Sequence, residues 1–299
     1  MHIFKLSLVF LFISLQSLLA QTLVPKLYAN APIGLNVLFL GYGHSEGAIP
    51  EVHYLGVTNP DLKIDSAFLG YVKTFDILGH NAKFDAFLPF ATLNGTTQRE
   101  GIDATRDVRG TGDSKIRLSV NLFGAPALSF QEFASYRQDT IVGFSIQATL
   151  PTGQYDNLEP VNIGANRWSI KPGIGISKRV SDYTFEFAAD VEFYTANNDF
   201  YEVVKREQNP IYSTQLNALY TFRRGMWLSI GVTYYWDGEI FVDGVETHND
   251  LSNTRIGATF SFPVDKKNSI KLFGSSGVNT RYGTDFDSIA IAWQYSWAD

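Results

Sequence analysis

Eight charged side chains stand at alternate positions inside otherwise apolar stretches: Lys115, Arg117, Arg167, Lys171, Glu186, Asp190, Glu192 and Arg255. Lys115 and Arg117 bracket Ile116, and Arg167 and Lys171 flank Trp168 and Ile170. Glu186, Asp190 and Glu192 alternate with Phe185, Phe187, Val191 and Phe193. In an extended chain every second side chain shares a face, so these charges face the same way. Lys271 joins them on a later stretch. Such a face suits two compatible roles: opposite charges pairing across adjacent strands, or a wet surface that guides a solute.

Other chemistry is sparse. The five histidines are His2, His44, His53, His80 and His248. His2 falls in the N-terminal apolar segment and the others in connections. His248 with Asp250 has the residue types of a rim hydrolase, but an exposed loop pair is the simpler reading. The absence of Cys removes disulfides, thiol nucleophiles and thiolate metal sites together. No H-E-x-x-H, P-loop or dinucleotide fingerprint occurs. The residues therefore point to no catalytic group, no metal and no cofactor. A net charge of −6 leaves no electrostatic footprint for nucleic acid.

The elements that must position the charges read as strands. The clearest is the last, Asp285 to Trp297, where Ile289, Ile291, Trp293, Tyr295 and Trp297 alternate with small or polar residues. One face is too greasy for water and the other too small and polar for a packed core. A membrane β-barrel has that asymmetry, with lipid outside and a polar lumen inside, whereas a sandwich strand accounts for the alternation alone. A lipid-facing Arg or Lys at mid-membrane costs about 2–4 kcal/mol, so the charges must point inward.

Eleven more stretches follow the same rule. They are about 33–43, 62–75, 83–93, 114–123, 140–150, 166–179, 183–195, 211–222, 226–236, 253–263 and 269–278. The first sets Ile33, Leu35, Val37 and Phe39 on one face; in the second, Phe68 and Leu69 compete for the apolar face. Connections alternate long and short. The short ones lie near 79–81, 181–182, 223–225 and 265–268, and 94–112 is a long polar one. Outer-membrane barrels show this rhythm, with short periplasmic turns and long extracellular loops. Only 124–139 breaks it, and there 127–136 suits either an amphipathic helix or an irregular turn. The expectation is an all-β, transmembrane antiparallel β-barrel of about 12 strands, forming a single domain over 21–299.

Residues 1–20 read as a signal peptide: Lys5 precedes an apolar run from Leu6 to Leu15, and Ala20 stands before Gln21. Gln21 to Pro32 reads as a mobile arm, and this arm or the 124–139 segment is the candidate plug of a narrow lumen. The aromatic pair Tyr295 and Trp297 at the C-terminus is similar to the signal read by outer-membrane assembly machinery. The expected partners are membrane lipid, that machinery and a small-molecule solute.

Two segments carry a more specific likeness. Pro151-Thr152-Gly153-Gln154-Tyr155-Asp156 is followed by Asn162-Ile163-Gly164-Ala165-Asn166-Arg167-Trp168-Ser169 and Lys171-Pro172. With Gly225-Met226-Trp227, Asn253-Thr254-Arg255-Ile256-Gly257, Thr280-Arg281 and Trp293-Gln294-Tyr295-Ser296-Trp297, these resemble the outer-membrane family named for the MetA pathway of phenol degradation. The resemblance runs from about Gly112 to the end and is poor in the first third. Asp237-Gly238 stands where the family pattern has a Gly pair. The resemblance implies a barrel for passive uptake of small aromatic or hydrophobic compounds, and transfers no binding residues. A structural or adhesive barrel acting through its long loops is the alternative.

Overall fold

The computed structural model describes residues 24–48, 57–99, 102–159, 161–200, 204–282 and 285–299. Residues 1–20, read above as a signal peptide, and His53 lie outside them.

Twelve antiparallel strands form a closed ring: β1 (Leu35–Ala48), β2 (Val57–Ile77), β3 (His80–Arg99), β5 (Ser114–Phe123), β6 (Thr140–Leu150), β7 (Ser169–Val180), β8 (Tyr183–Tyr194), β11 (Ile211–Arg223), β12 (Met226–Asp237), β15 (Leu251–Pro263), β16 (Asn268–Asn279) and β17 (Asp285–Ala298). Each pairs with its neighbour in sequence, and β1 pairs with β17 from Leu35↔Ala298 to Ala48↔Asp285. Closure leaves no unpaired edge in the ring, which is what hydrocarbon demands of a backbone that crosses it.

The burial pattern is that of a soluble protein turned inside out. Outward apolar residues are exposed, among them Leu40, Ile116, Ile174, Ile230 and Ile289 at 54%, 40%, 52%, 62% and 68%. Inward Ser119, Ser145, Ser177, Thr233, Asn253 and Thr259 are all buried. Water cannot be the solvent of that outer face, so it is lipid. Aromatic rings mark the band at the short-turn end. They run from Tyr183 and Tyr220, 5.0 Å apart, through Phe222 and Phe260 to Trp293, Tyr295, Trp297 and Tyr71. At the long-loop end Tyr212, Trp236 and Tyr234 stack, and a polar outer group of Tyr42, His44, Glu46, Lys63 and Asp65 begins. Amphipathic rings settle where hydrocarbon meets water.

Four expectations change. First, 94–112 is not an open connection. β3 runs on through Arg99 and pairs with β4 (Ile102–Thr111), from Phe90↔Thr111 to Arg99↔Ile102. The hairpin stands above the lipid, so both its faces can be polar and the alternation of greasy and polar vanishes. Second, the long loops after β8 and β12 meet in a separate sheet of β9 (Asn197–Phe200), β10 (Val204–Gln208), β13 (Ile240–Val242) and β14 (Val245–Glu246). Phe200, Val204, Ile240 and Val242 hold it together. Third, Val37 and Phe39 face the lumen, while Leu38, Leu40 and Tyr42 face out. Fourth, the sixth predicted strand begins at Ser169, not Asn166, because Asn166 has a positive φ of 51° and belongs to the loop. The 124–139 segment holds one helical turn, α1 (Phe130–Phe133), closed by a capping box of Ser129 and Glu132.

Candidate functional site

The N-terminal arm is docked rather than mobile over its described part. It lies across the lumen at the short-turn end. The Lys83 ammonium donates to the carbonyls of Leu27 and Ala29 at 2.9 and 2.5 Å. Asn81 donates to Ala31 O at 2.7 Å, and the Lys26 amide donates to Glu186 at 3.0 Å. The Lys26 ammonium sits 4.5 Å from the Trp227 ring centre. Tyr28 is buried with its hydroxyl 3.1 Å from Ser145 Oγ. Its ring occupies the space left by Gly143 and Gly175, where an added Cβ would come within 2.1 and 2.2 Å of it. The arm thus touches β3, β6, β7, β8 and β12 at once. Of the two candidate plugs, the arm fills this role, while α1 contributes no buried residue and stays at the rim.

At the other end, Leu62, Ile64, Ala91, Leu93, Val108, Ile163 and Phe286 form an apolar cluster inside the barrel. Between cluster and arm the lumen has two unlike walls. On β1, β2 and β3 the register sets Phe39 opposite Gly70 and Phe68 opposite Gly41. Each ring lies flat over the glycine across from it, since a Cβ at Gly41 or Gly70 would meet the ring at 2.1 or 1.9 Å. Phe87, paired with Gly70, brings its ring 5.5 Å from that of Phe68. Glycine opposite phenylalanine is therefore what lets a twelve-strand lumen hold three aromatic rings on one wall.

The wall from β3 to β8 carries charge. Register places Lys115, Arg117, Lys171, Glu186, Asp190 and Glu192 on the inner face, as the alternation requires. Five of the eight predicted residues converge there: Lys115, Arg117, Lys171, Asp190 and Glu192 lie within electrostatic reach of one another. Glu186 lies lower, occupied by the arm and by Asn217 at 3.4 Å. Arg255 faces in from β15, bonded to Phe286 O at 2.6 Å and Ser275 at 3.2 Å. Arg167 sits above the lumen in the loop that leads into β7.

The expected ladder between β7 and β8 does not form. Among the described residues no ion pair links Arg167 or Lys171 to Glu186, Asp190 or Glu192; the lumen's ion pair is Arg117 to Asp85, at 3.1 Å. Glu192 accepts from Ser169 at 2.6 Å instead. Asp85 and Lys83 were missed as site residues, although their alternation with Phe84 and Ala86 was there to read. The rim pair also separates: Asp250 binds Arg281 at 2.9 Å, while exposed His248 faces Glu246 at 3.6 Å. Among the described residues no cluster of His, Cys, Asp or Glu could hold a metal ion.

Unpaired charge on the wall predicts a selectivity change. Lys115, Arg117 and Lys171 balance Asp85, Asp190 and Glu192, three against three. Lys171→Met leaves one excess negative charge, so the reversal potential of an open channel in a salt gradient shifts toward cations. An unmoved reversal potential would assign Lys171 to scaffolding.

This architecture recurs in solved structures. An outer membrane channel from Pseudomonas putida F1 superposes with a TM-score of 0.78 at 20% identity, over 92% of this chain and 100% of that one. The transport unit of the Escherichia coli autotransporter AIDA-I reaches 0.54 at 8% identity, over 92% and 93%. The β domain of the Bordetella autotransporter BrkA reaches 0.52 at 10%, over 88% and 100%. These likenesses establish the fold. Comparison with curated proteins finds no match. A family model described as the putative MetA pathway of phenol degradation matches residues 48–293, well beyond the span from Gly112 that the motifs suggested. The match covers most of the chain, which therefore belongs to that family and is a transmembrane β-barrel of twelve strands.

Proposed function

We propose that this barrel is a channel of the Gram-negative outer membrane for passive uptake of small aromatic compounds that bear a polar group. The observation that carries the reading is the two-walled lumen. Phe39, Phe68 and Phe87 offer ring faces, while Lys115, Arg117, Lys171, Asp85, Asp190 and Glu192 offer hydrogen bonds and charge on the adjoining wall, the two meeting where Phe87 pairs with Lys115. Offset stacking of aromatic pairs is worth about 0.5–1.5 kcal/mol beyond burial, enough to favour an arene over a sugar yet weak enough to let it leave. The family's link to phenol degradation and the likeness to an outer membrane channel support the same reading. Short turns then face the periplasm and long loops the exterior. Tyr295 and Trp297, stacked 5.6 Å apart on the lipid face, would serve as the mark for the assembly machinery.

Uptake of labelled phenol by Gram-negative cells, with and without the chain, tests the proposal. Phe68→Ala with Phe87→Ala should slow phenol entry severalfold and leave glucose entry unchanged. Equal phenol entry in cells lacking the chain would count against it.

A further inference from the structure

We propose that Arg167 and Arg206, beneath the extracellular loops, form a binding site for the carboxylate of a small aromatic acid. As a role in solute entry this rests on the channel reading; as a binding site it does not.

The two shared motifs build the site. Asp113 accepts from the amides of Gly153 and Ala165 at 2.7 and 2.9 Å, clamping one motif to the other. The Gly164 amide donates to Gln154 O at 2.8 Å, and Gln154 N to Thr111 O at 2.8 Å. Asn197 donates to Ala165 O at 3.2 Å and to the Tyr155 hydroxyl at 2.9 Å, and accepts from Asn166 at 3.1 Å. This network leaves the next residue, Arg167, with little freedom.

What it holds is an incompletely satisfied cation. Arg167 is 4% exposed and donates from Nη2 to Gln208, yet its Nε and Nη1 have no acceptor. Arg206, on β10, is also 4% exposed, and its Nε has no acceptor. Neither makes an ion pair among the described residues. The nearby carboxylates are engaged elsewhere, Asp113 by backbone amides and Glu192 by Ser169. Burial, and then the positive charge of Arg167, lowers the pKa of Arg206 well below the ordinary arginine value.

Buried polar groups in native proteins nearly always find partners, and an unpaired buried charge is far costlier than an unpaired neutral group. Two such guanidinium groups within reach of each other call for an anion. A guanidinium presents parallel N–H donors that match the two oxygens of a carboxylate. Aromatic faces surround the pair: the Arg167 Cζ lies 4.3 Å from the Tyr194 ring centre and the Arg206 Cζ 5.5 Å from that of Phe200. The charged end of the ligand meets the unpartnered N–H groups of the arginines, and its ring lies beside Tyr194 and Phe200, whose faces hold the guanidinium groups.

Calorimetry on the full chain in detergent, titrated with benzoate and with its neutral counterpart benzamide, tests the site. Benzoate should bind, with benzamide at least about tenfold weaker. Arg206→Gln should weaken benzoate by about 10- to 100-fold, as expected for a lost hydrogen bond to a charged group, and Arg206→Lys by less. Heat-dependent gel migration checks that each variant folds, and the benzoate to benzamide ratio of the unaltered protein needs no variant. Equal binding of the two compounds, unchanged affinity in a folded Arg206→Gln, or preferential binding of inorganic phosphate would overturn the proposal. Benzoate binding without phenol entry would leave the site standing and sink the channel reading.

Discussion

A chain lacking residues 24–33 should conduct ions severalfold better in a planar bilayer than the full-length protein. The arm crosses the lumen, and its backbone carbonyls and amide hold wall side chains that would otherwise face water. Removing it frees the Lys83 ammonium, the Glu186 carboxylate and the space over Gly143 and Gly175. Water and ions fill that volume, since most wall groups exposed there are polar or small, with Trp227 and Ile141 the large apolar exceptions. Stability should fall as well. Each lost hydrogen bond is worth about 0.5–1.5 kcal/mol, and those to charged groups about 1.5–3. Single-channel recording at fixed salt gives the first readout and the unboiled-gel transition temperature the second. Conductance equal to that of the full chain would show that the resistance lies elsewhere, with the apolar cluster around Phe286 as the remaining barrier.

Ile230→Arg should destabilise the barrel in vesicles by about 2–4 kcal/mol, the cost of a cation at the membrane midplane. Ile230 faces out, is 62% exposed, and lies near the middle of β12 between Ala218 and Ala258. Small neighbours on either side leave the new side chain no protein group to pair with. Leu78→Arg provides the contrast. Leu78 is 94% exposed, but it sits in the two-residue turn between β2 and β3, where φ is +53° and the water interface lies close. The same substitution there should cost about 0–1 kcal/mol. Reversible denaturant unfolding in lipid vesicles measures both. Equal costs at the two positions would mean that Ile230 does not face hydrocarbon.

Much of this was legible from alternation alone. From β5 to β8 the outward residues are mostly large and apolar and the inward ones mostly small, polar or charged, so a period of two assigns both faces; later strands also turn large apolar side chains inward, Trp227 on β12 and Phe286 on β17. In β1 the contrast disappears, because Val37 and Phe39 face in while Leu38, Leu40 and Tyr42 face out. Only the cross-strand glycines reveal which face is interior, and a partner across strands is not visible along one. Phe68 and Leu69 were ambiguous for the same reason; Phe68 takes the lumen and Leu69 the lipid. The inner charges were readable, but their partners were not. Arg117 goes to Asp85 across β3 rather than to β8, a choice set by ring order. Arg206 gave no signal at all, since β10 is too short for periodicity and its burial depends on loops distant in sequence.

Pairing of β1 with β17 joins positions more than two hundred and thirty residues apart, with Asn36 bonded to Asp299 at 2.8 Å and Lys73 to the same side chain at 2.9 Å. That seam can form only after the last strand has been made. The segment that stoppers the pore is attached directly to the first strand, so until the seam zips, its tether hangs from an open margin. The arm's own contacts are to β3, β6, β7, β8 and β12 and none of these needs the seam, so joining of the margins fixes the point from which the stopper is tethered.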